Sequence, residues 1–374
     1  MKIKVLFLIN NLNRGGAERN FLNQANNLDR EKFDLCFATV IKEKKEDSFW
    51  PELKLEPEKK ICFDFKNLSD WAAWFRFIRF LSKEKFDVVY STLFFANFLN
   101  RIGRIFTFLK TKSVIREANI AEVKPKKEML ADKILSFLTY KIIAVSEMVA
   151  QSIVKLEKIP ASKISVIYNG IALPEKITER NAVRRKFNLG ASDFVFLNVG
   201  MFKTEQKGQK YLIEAFDKLL GERPGENIKL LLVGEGSLKS ELETAVKSKG
   251  LSDKIIFAGL QTELHGFYQA SDVFVLSSLW EGCPNVLLEA MINKLPVVAA
   301  KVGGVGEMVE HLKTGYLVSA KDVPALKQAM AFMLAENERR QNFKEQGFRR
   351  ALNDFSLGKN IKKLEILFEK CAES

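Results

Sequence analysis

Cysteine and histidine are scarce in this chain, with four and two residues respectively out of 374. Cys36, Cys62, Cys283 and Cys371 show no CxxC spacing, which argues against a zinc site or a disulfide framework and fits a reducing cytoplasm. No Asp-x-Asp pair stands ready for a divalent ion, so neither a metal nor a bound cofactor is expected. The GxGxxG spacing of a dinucleotide-binding turn is also missing, which counts against an NAD enzyme. Long apolar runs are absent too. The stretch Leu93 to Leu109 is broken by Asn97, Asn100, Arg101 and Arg104, short of the roughly 20 residues a crossing helix needs. Val5 to Ile9 is shorter than a signal-peptide core and reads as a first strand.

What is present is the composition of a folded protein, 47% hydrophobic and 28% charged. A chain of 374 residues exceeds one ordinary core and suggests two domains. The net charge of +13 is uneven: residues 1–170 hold 30 basic and 20 acidic side chains, the remainder 29 and 26. A surplus on one half points to a polyanionic partner there, either nucleic acid or an anionic membrane surface.

Short apolar runs alternate with helical patterns, the mark of βα units on a parallel sheet. The runs are Lys4 to Ile9, Phe33 to Val40, Phe86 to Ser91, Lys112 to Arg116, Lys141 to Val145 and Ile164 to Tyr168, then Phe194 to Val199, Lys229 to Val233, Lys254 to Phe257, Val273 to Leu276 and Pro296 to Ala300. Asn169-Gly170, Pro174 and a polar stretch to Ala191 punctuate the middle. The expected architecture is α/β, with two Rossmann-like doubly wound domains, 1–173 and 174–374, facing across a cleft, and a last helix that could pack back on the first. In such sheets ligands bind at the C-terminal ends of the strands.

Three strand-to-helix turns carry candidate chemistry. In the first, Arg14-Gly15-Gly16 lets the backbone approach a ligand beside a helix start, which favours an anion. In the second, Gly200 to Gly208, Lys203 and Lys207 can reach a phosphate as point charges. The third is Glu281-Gly282-Cys283-Pro284-Asn285-Val286-Leu287-Leu288-Glu289. Its two glutamates flank a helix opened by Pro284 and Asn285, whose free amides form an anion site. A carboxylate at each end can accept hydroxyl hydrogen bonds from the groups on either side of a diphosphate, a sugar and a ribose. Cys283 has no base nearby and is not read as a nucleophile.

Together with Val233-Gly234-Glu235-Gly236, Gly303-Gly304 with Glu307, and Gly315 to Val318, these segments make the chain resemble the retaining GT-B glycosyltransferases of group 4, formerly group 1, with their EX7E motif. The resemblance spans nearly the whole chain and implies metal-independent, retaining transfer from a nucleotide-diphosphate sugar, a UDP-sugar being the first choice. It implies that Glu289 holds the donor ribose and Glu281 the donor sugar, and that Lys207 neutralises the diphosphate. Amides near Val286 and Leu287, and those of Gly15 and Gly16, would cradle that diphosphate, Gly282 and Asn285 would belong to the same donor site, and the loops at Gly234 and at Gly259-Leu260 would flank the base. Met201 stands where the family usually has arginine, so Lys203 or Arg14 would take part of that load. The family's N-domain histidine has no counterpart, since His265 and His311 both lie in the second half. Arg116 and Glu117 are the candidates for that acceptor-side neighbourhood.

The acceptor is expected to be a glycan or lipid-linked, in cell-surface polysaccharide or glycolipid synthesis. The aromatic and basic segments Trp71 to Leu81 and Leu93 to Lys112, with Lys124, Lys126 and Lys127, would suit an anionic membrane surface, giving a cytoplasmic enzyme peripheral on the membrane's cytoplasmic face. Core-facing aromatics would read the same way. The rival readings are a nucleotide-sugar epimerase or another GT-B-like enzyme and, from the pI near 9.4 alone, a nucleic-acid-binding protein. No nucleic-acid motif accompanies the charge, so nucleic acid is not expected as a partner.

Overall fold

The computed structural model describes residues 2–42, 48–107, 110–174 and 180–373. Phe108 and Leu109 of the apolar stretch, and residues 175–179 of the polar connector, lie outside the described residues. The chain divides into two compact units, Met1–Gly170 with Leu357–Ser374, and Ile171–Ser356.

The first unit is a seven-stranded sheet ordered β3-β2-β1-β4-β5-β6-β7. Its strands are β1 (Ile3–Ile9), β2 (Phe33–Thr39), β3 (Lys60–Cys62), β4 (Val88–Thr92), β5 (Lys112–Glu117), β6 (Lys141–Ala144) and β7 (Ile164–Val166). The second is a six-stranded sheet ordered β10-β9-β8-β11-β12-β13. Its strands are β8 (Phe194–Val199), β9 (Ile228–Val233), β10 (Ile255–Gly259), β11 (Val273–Leu276), β12 (Val297–Ala300) and β13 (Tyr316–Val318). Every pairing is parallel, and each sheet reverses its order once, between β1 and β4 and between β8 and β11. The doubly wound α/β class read from the alternating pattern is therefore the observed one. The edge strand β3 was not among the expected runs. Three residues paired on one side only are too few to show a period of two.

Strand β1 shows why these runs become central strands. Val5, Phe7 and Ile9 point into one core layer and Leu6 and Leu8 into the other, all fully buried, as helices on both faces of a parallel sheet require. Phe7 meets Phe21, Phe37, Tyr90 and Phe368, with the Tyr90 and Phe368 rings edge-on at 5.1 and 6.2 Å. Phe368 belongs to the helix Leu357–Glu373, so the C-terminal segment completes the core of the first unit. Polar pairs pin it there: Gln24 Nε2 donates to Asn360 Oδ1 at 3.0 Å, and the Asp29 amide to Glu365 at 2.9 Å.

The aromatic helix Trp71–Glu84 buries Ala73, Phe77 and Leu81, one residue per turn, while Trp71 and Phe75 face outward. Its aromatics are thus divided between core and surface. Among the described residues no helix is long and apolar enough to cross a membrane.

Phe368→Ala removes a fully buried ring from three aromatic partners and is expected to cost the first unit about 3–5 kcal/mol. Three of the four tryptophans, Trp50, Trp71 and Trp74, lie in that unit, so urea unfolding followed by tryptophan fluorescence checks it.

Candidate donor site

The second unit gathers its candidate residues on the loops that leave β8 and β11, the neighbouring strands at which the sheet reverses. That is where a doubly wound sheet opens a crevice for a ligand, because the two connections leave toward opposite faces.

Lys207 ends a short 3₁₀ turn after β8, and Glu281 lies on the loop after β11. Lys207 Nζ donates to Glu281 Oε1 at 2.6 Å, with side-chain exposures of 20% and 6%. The same oxygen accepts from Ser278 Oγ at 2.7 Å, and Ser278 is fully buried. An ammonium has three N–H donors. One is spent on Glu281, so Lys207 keeps the capacity to bind a second anion. The two loops are stitched along their backbones: Ser277 Oγ donates to Lys207 O at 2.8 Å, and Leu279 N to Gln206 O at 2.7 Å.

Glycines allow this closeness. Gly208 sits at φ +62°, and a β-carbon there would lie 2.1 Å from the Ser277 carbonyl oxygen. Gly303, after β12 at φ +47°, would place one 1.7 Å from the Glu281 carbonyl oxygen, and the neighbouring Gly304 amide donates to Gly282 O at 3.2 Å. Glu281 is thus held by its carboxylate on one side and by its backbone on the other.

Glu289 lies in the second turn of the helix Asn285–Ile292, which no side chain caps. Its Oε2 accepts from the Tyr268 hydroxyl at 2.7 Å. Burial, reinforced by the adjacent carboxylate, holds that phenol well above its ordinary pKa, so it remains a donor. Within the helix start, the Leu287 amide donates to Pro284 O at 3.2 Å. Cys283 is buried, its sulfur 3.8 Å from that of Met308.

The remaining second-unit candidates flank this centre. Lys203 and Leu260 are exposed. Gly234 donates its amide to Gly259 O at 3.0 Å, and a β-carbon on Gly234 would stand 2.0 Å from Gly200 O, so the loops after β8, β9 and β10 are also interlocked.

Arg14, Gly15, Gly16, Arg116 and Glu117 belong to the first unit. Gly15 precedes the helix Gly16–Asn27, and the Arg14 guanidinium lies 5.0 Å from the Phe49 ring centre. Arg116 is buried and donates to Asn169 Oδ1 at 2.6 Å. Glu117 accepts from Asn97 at 3.2 Å and from Lys124 at 2.8 Å. Lys124, read from the sequence as part of a membrane-facing basic set, is instead tied to Glu117, Asp132 and Glu157 at 2.7–2.9 Å. Burial opposes its charge, but the three carboxylates outweigh it and raise its pKa.

Sequence reading passed over Tyr268, Ser278 and the seat that Gly303 gives Glu281. Ser278 had a local signal, a hydroxyl three residues before the glutamate. Tyr268 had none, because it meets Glu289 only through packing of the helix His265–Ala270.

Residues 14–174 match the family model described as Glycosyltransferase Family 4, and residues 179–350 the one described as Glycosyl transferases group 1. An uncharacterised glycosyltransferase of Methanocaldococcus jannaschii is 39% identical over 112 residues, 30% of this chain and 27% of that protein. The UDP-Gal:α-D-GlcNAc-diphosphoundecaprenol α-1,3-galactosyltransferase of Escherichia coli is 24% identical over 94% of this chain and 93% of its own length. Anabaena HepE, crystallised with UDP-glucose, superposes with a TM-score of 0.86 over 98% of this chain and all of that one, at 20% identity. The chain belongs to the group 1/group 4 family of GT-B glycosyltransferases.

Gly303→Ala should displace the Glu281 loop and lower stability by about 1–3 kcal/mol. Gly250→Ala, also at positive φ (+68°) but with open space around it, separates backbone strain from crowding. Thermal unfolding of the two variants is expected to show the larger loss for Gly303→Ala.

Proposed function

We propose that this glycosyltransferase moves a sugar from a nucleotide-diphosphate donor, with a UDP-sugar as the first choice, to a hydroxyl of a glycan or lipid-linked acceptor in cell-surface polysaccharide or glycolipid synthesis. The observation that carries the reading is the Lys207–Glu281 pair, held between the loops of β8 and β11 beside an uncapped helix start. The Escherichia coli relative's name and the UDP-glucose complex of Anabaena HepE support the choice of donor.

In this scheme Lys207 and the Val286 end of the helix face the diphosphate, Lys203 adds charge from the loop, and Glu281 receives the sugar hydroxyls. Glu289, oriented by Tyr268, receives the ribose. A diphosphate departs when the charge developing on its oxygens is stabilised by groups already in place. Lysine and helix amides provide that positive charge, so the transfer is assigned as metal-independent. Retention is assigned with it: the departing phosphate oxygen takes the proton of the acceptor hydroxyl as that hydroxyl attacks the anomeric carbon from the same face. Proton and leaving group then balance without a protein base. The basic first unit is assigned the acceptor, with Arg116 and Glu117 holding the neighbouring strand ends in place. The enzyme is placed at the cytoplasmic face of the membrane.

Lys207→Ala is expected to cut kcat/KM for donor use by about 100-fold or more, the loss of a charge-assisted contact that strengthens in the transition state. Glu289→Ala should chiefly raise KM, by roughly tenfold, through loss of the ribose contact. UDP release from a panel of UDP-sugars, with and without membrane extract, checks both; wild-type turnover in the two variants would remove the assigned roles.

A further inference from the structure

The helix Lys126–Leu135 and the turn Ser136–Leu138 after it are built inside out. At 100° per residue, Lys126, Lys127, Leu130, Lys133, Ile134 and Phe137 fall within one arc of about 120°. All six are exposed, and the apolar three strongly so: Leu130 59%, Ile134 56% and Phe137 68%. Asp132, on the inward side, is buried and takes Arg101 Nη1 at 2.6 Å and Lys124 Nζ at 2.9 Å. Lys124 also grips Glu117 and Glu157. Ion pairs therefore anchor this segment to the body while its large apolar side chains face outward. That arrangement wastes burial in water, and it is what an interfacial helix needs, apolar side chains to enter the acyl boundary and lysines beside them at headgroup level.

We infer that the outward face of residues 126–137 docks the first unit onto an anionic lipid bilayer, with Leu130, Ile134 and Phe137 entering it and Lys126, Lys127 and Lys133 binding headgroup phosphates. The charge fits: three lysines and no acid lie on the arc. The inference deepens the reading of a lipid-linked acceptor by naming the surface that brings the enzyme to it. It places the contact away from Lys124, which is spent internally, and on a different helix from the aromatic Trp71–Glu84.

The test is co-sedimentation of the full chain with vesicles of phosphatidylglycerol and phosphatidylcholine (1:1) and of phosphatidylcholine alone. Wild type is expected to bind the first more strongly and to lose that preference at high salt. The triple variant Leu130→Ser/Ile134→Ser/Phe137→Ser, and separately Lys126→Ala/Lys127→Ala/Lys133→Ala, should each reduce partitioning by about 100-fold. Because all six side chains are exposed, folding and UDP release from soluble donor should be unchanged. A chain that releases no UDP yet binds vesicles through this face would sink the proposed reaction and leave the docking surface standing. Unchanged binding in both triple variants would overturn the inference. So would loss of binding in Trp71→Ser/Phe75→Ser instead, equal binding to the two vesicle types, or light scattering showing a dimer that the apolar triple variant dissolves.

Discussion

The candidate site of the second unit depends on one ion pair bridging two loops. A lysine and a glutamate largely removed from water gain little net stability, since desolvation offsets their attraction. Their value is positional. Lys207 and Glu281 leave strands β8 and β11 and meet at 2.6 Å where the sheet order reverses. Ser278 holds the shared oxygen from beneath, so a charged side chain with donors to spare is fixed before any ligand arrives.

That fixity is inherited from the backbone. Gly208 lies against the Ser277 carbonyl, Gly303 against that of Glu281, and Gly234 against that of Gly200. Each contact is closer than any side chain would allow, so the loops after four strands form one interlocked rim. A rim assembled in this way loses little conformational entropy on binding. The first unit is organised differently. Its core is aromatic, completed by Phe368 from the far end of the chain, while its outer helix at residues 126–137 is fastened by buried charges and leaves its apolar face uncovered.

Much of this was legible in the sequence. Alternating runs gave away both sheets because buried parallel strands are apolar on both faces, as β1 shows. The segments that the structure brings together as the Lys207–Glu281 pair and the uncapped start of helix Asn285–Ile292 also stood out in the sequence, through the spacing of Glu281 and Glu289 around Pro284-Asn285 and through Lys207-Gly208. What escaped depends on contacts distant in sequence. Tyr268 reaches Glu289 across 21 residues, and Phe368 reaches Phe7 across the whole chain. Lys124 looked like surface charge because its carboxylate partners lie 7, 8 and 33 residues away. The Trp71 to Leu81 segment has the same periodicity whether its aromatics pack inward or outward. Only the tertiary structure sorts Phe77 from Phe75.

In the proposed reaction the Lys207–Glu281 pair and the start of helix Asn285–Ile292 together hold a nucleotide diphosphate. Hydrogen–deuterium exchange with and without UDP tests it most directly. Slowed exchange is expected in peptides covering Gly200–Gly208 and Gly282–Leu288, with little change along Lys126–Leu138. UDP binding that protects other segments of the second unit and leaves those two untouched would contradict it.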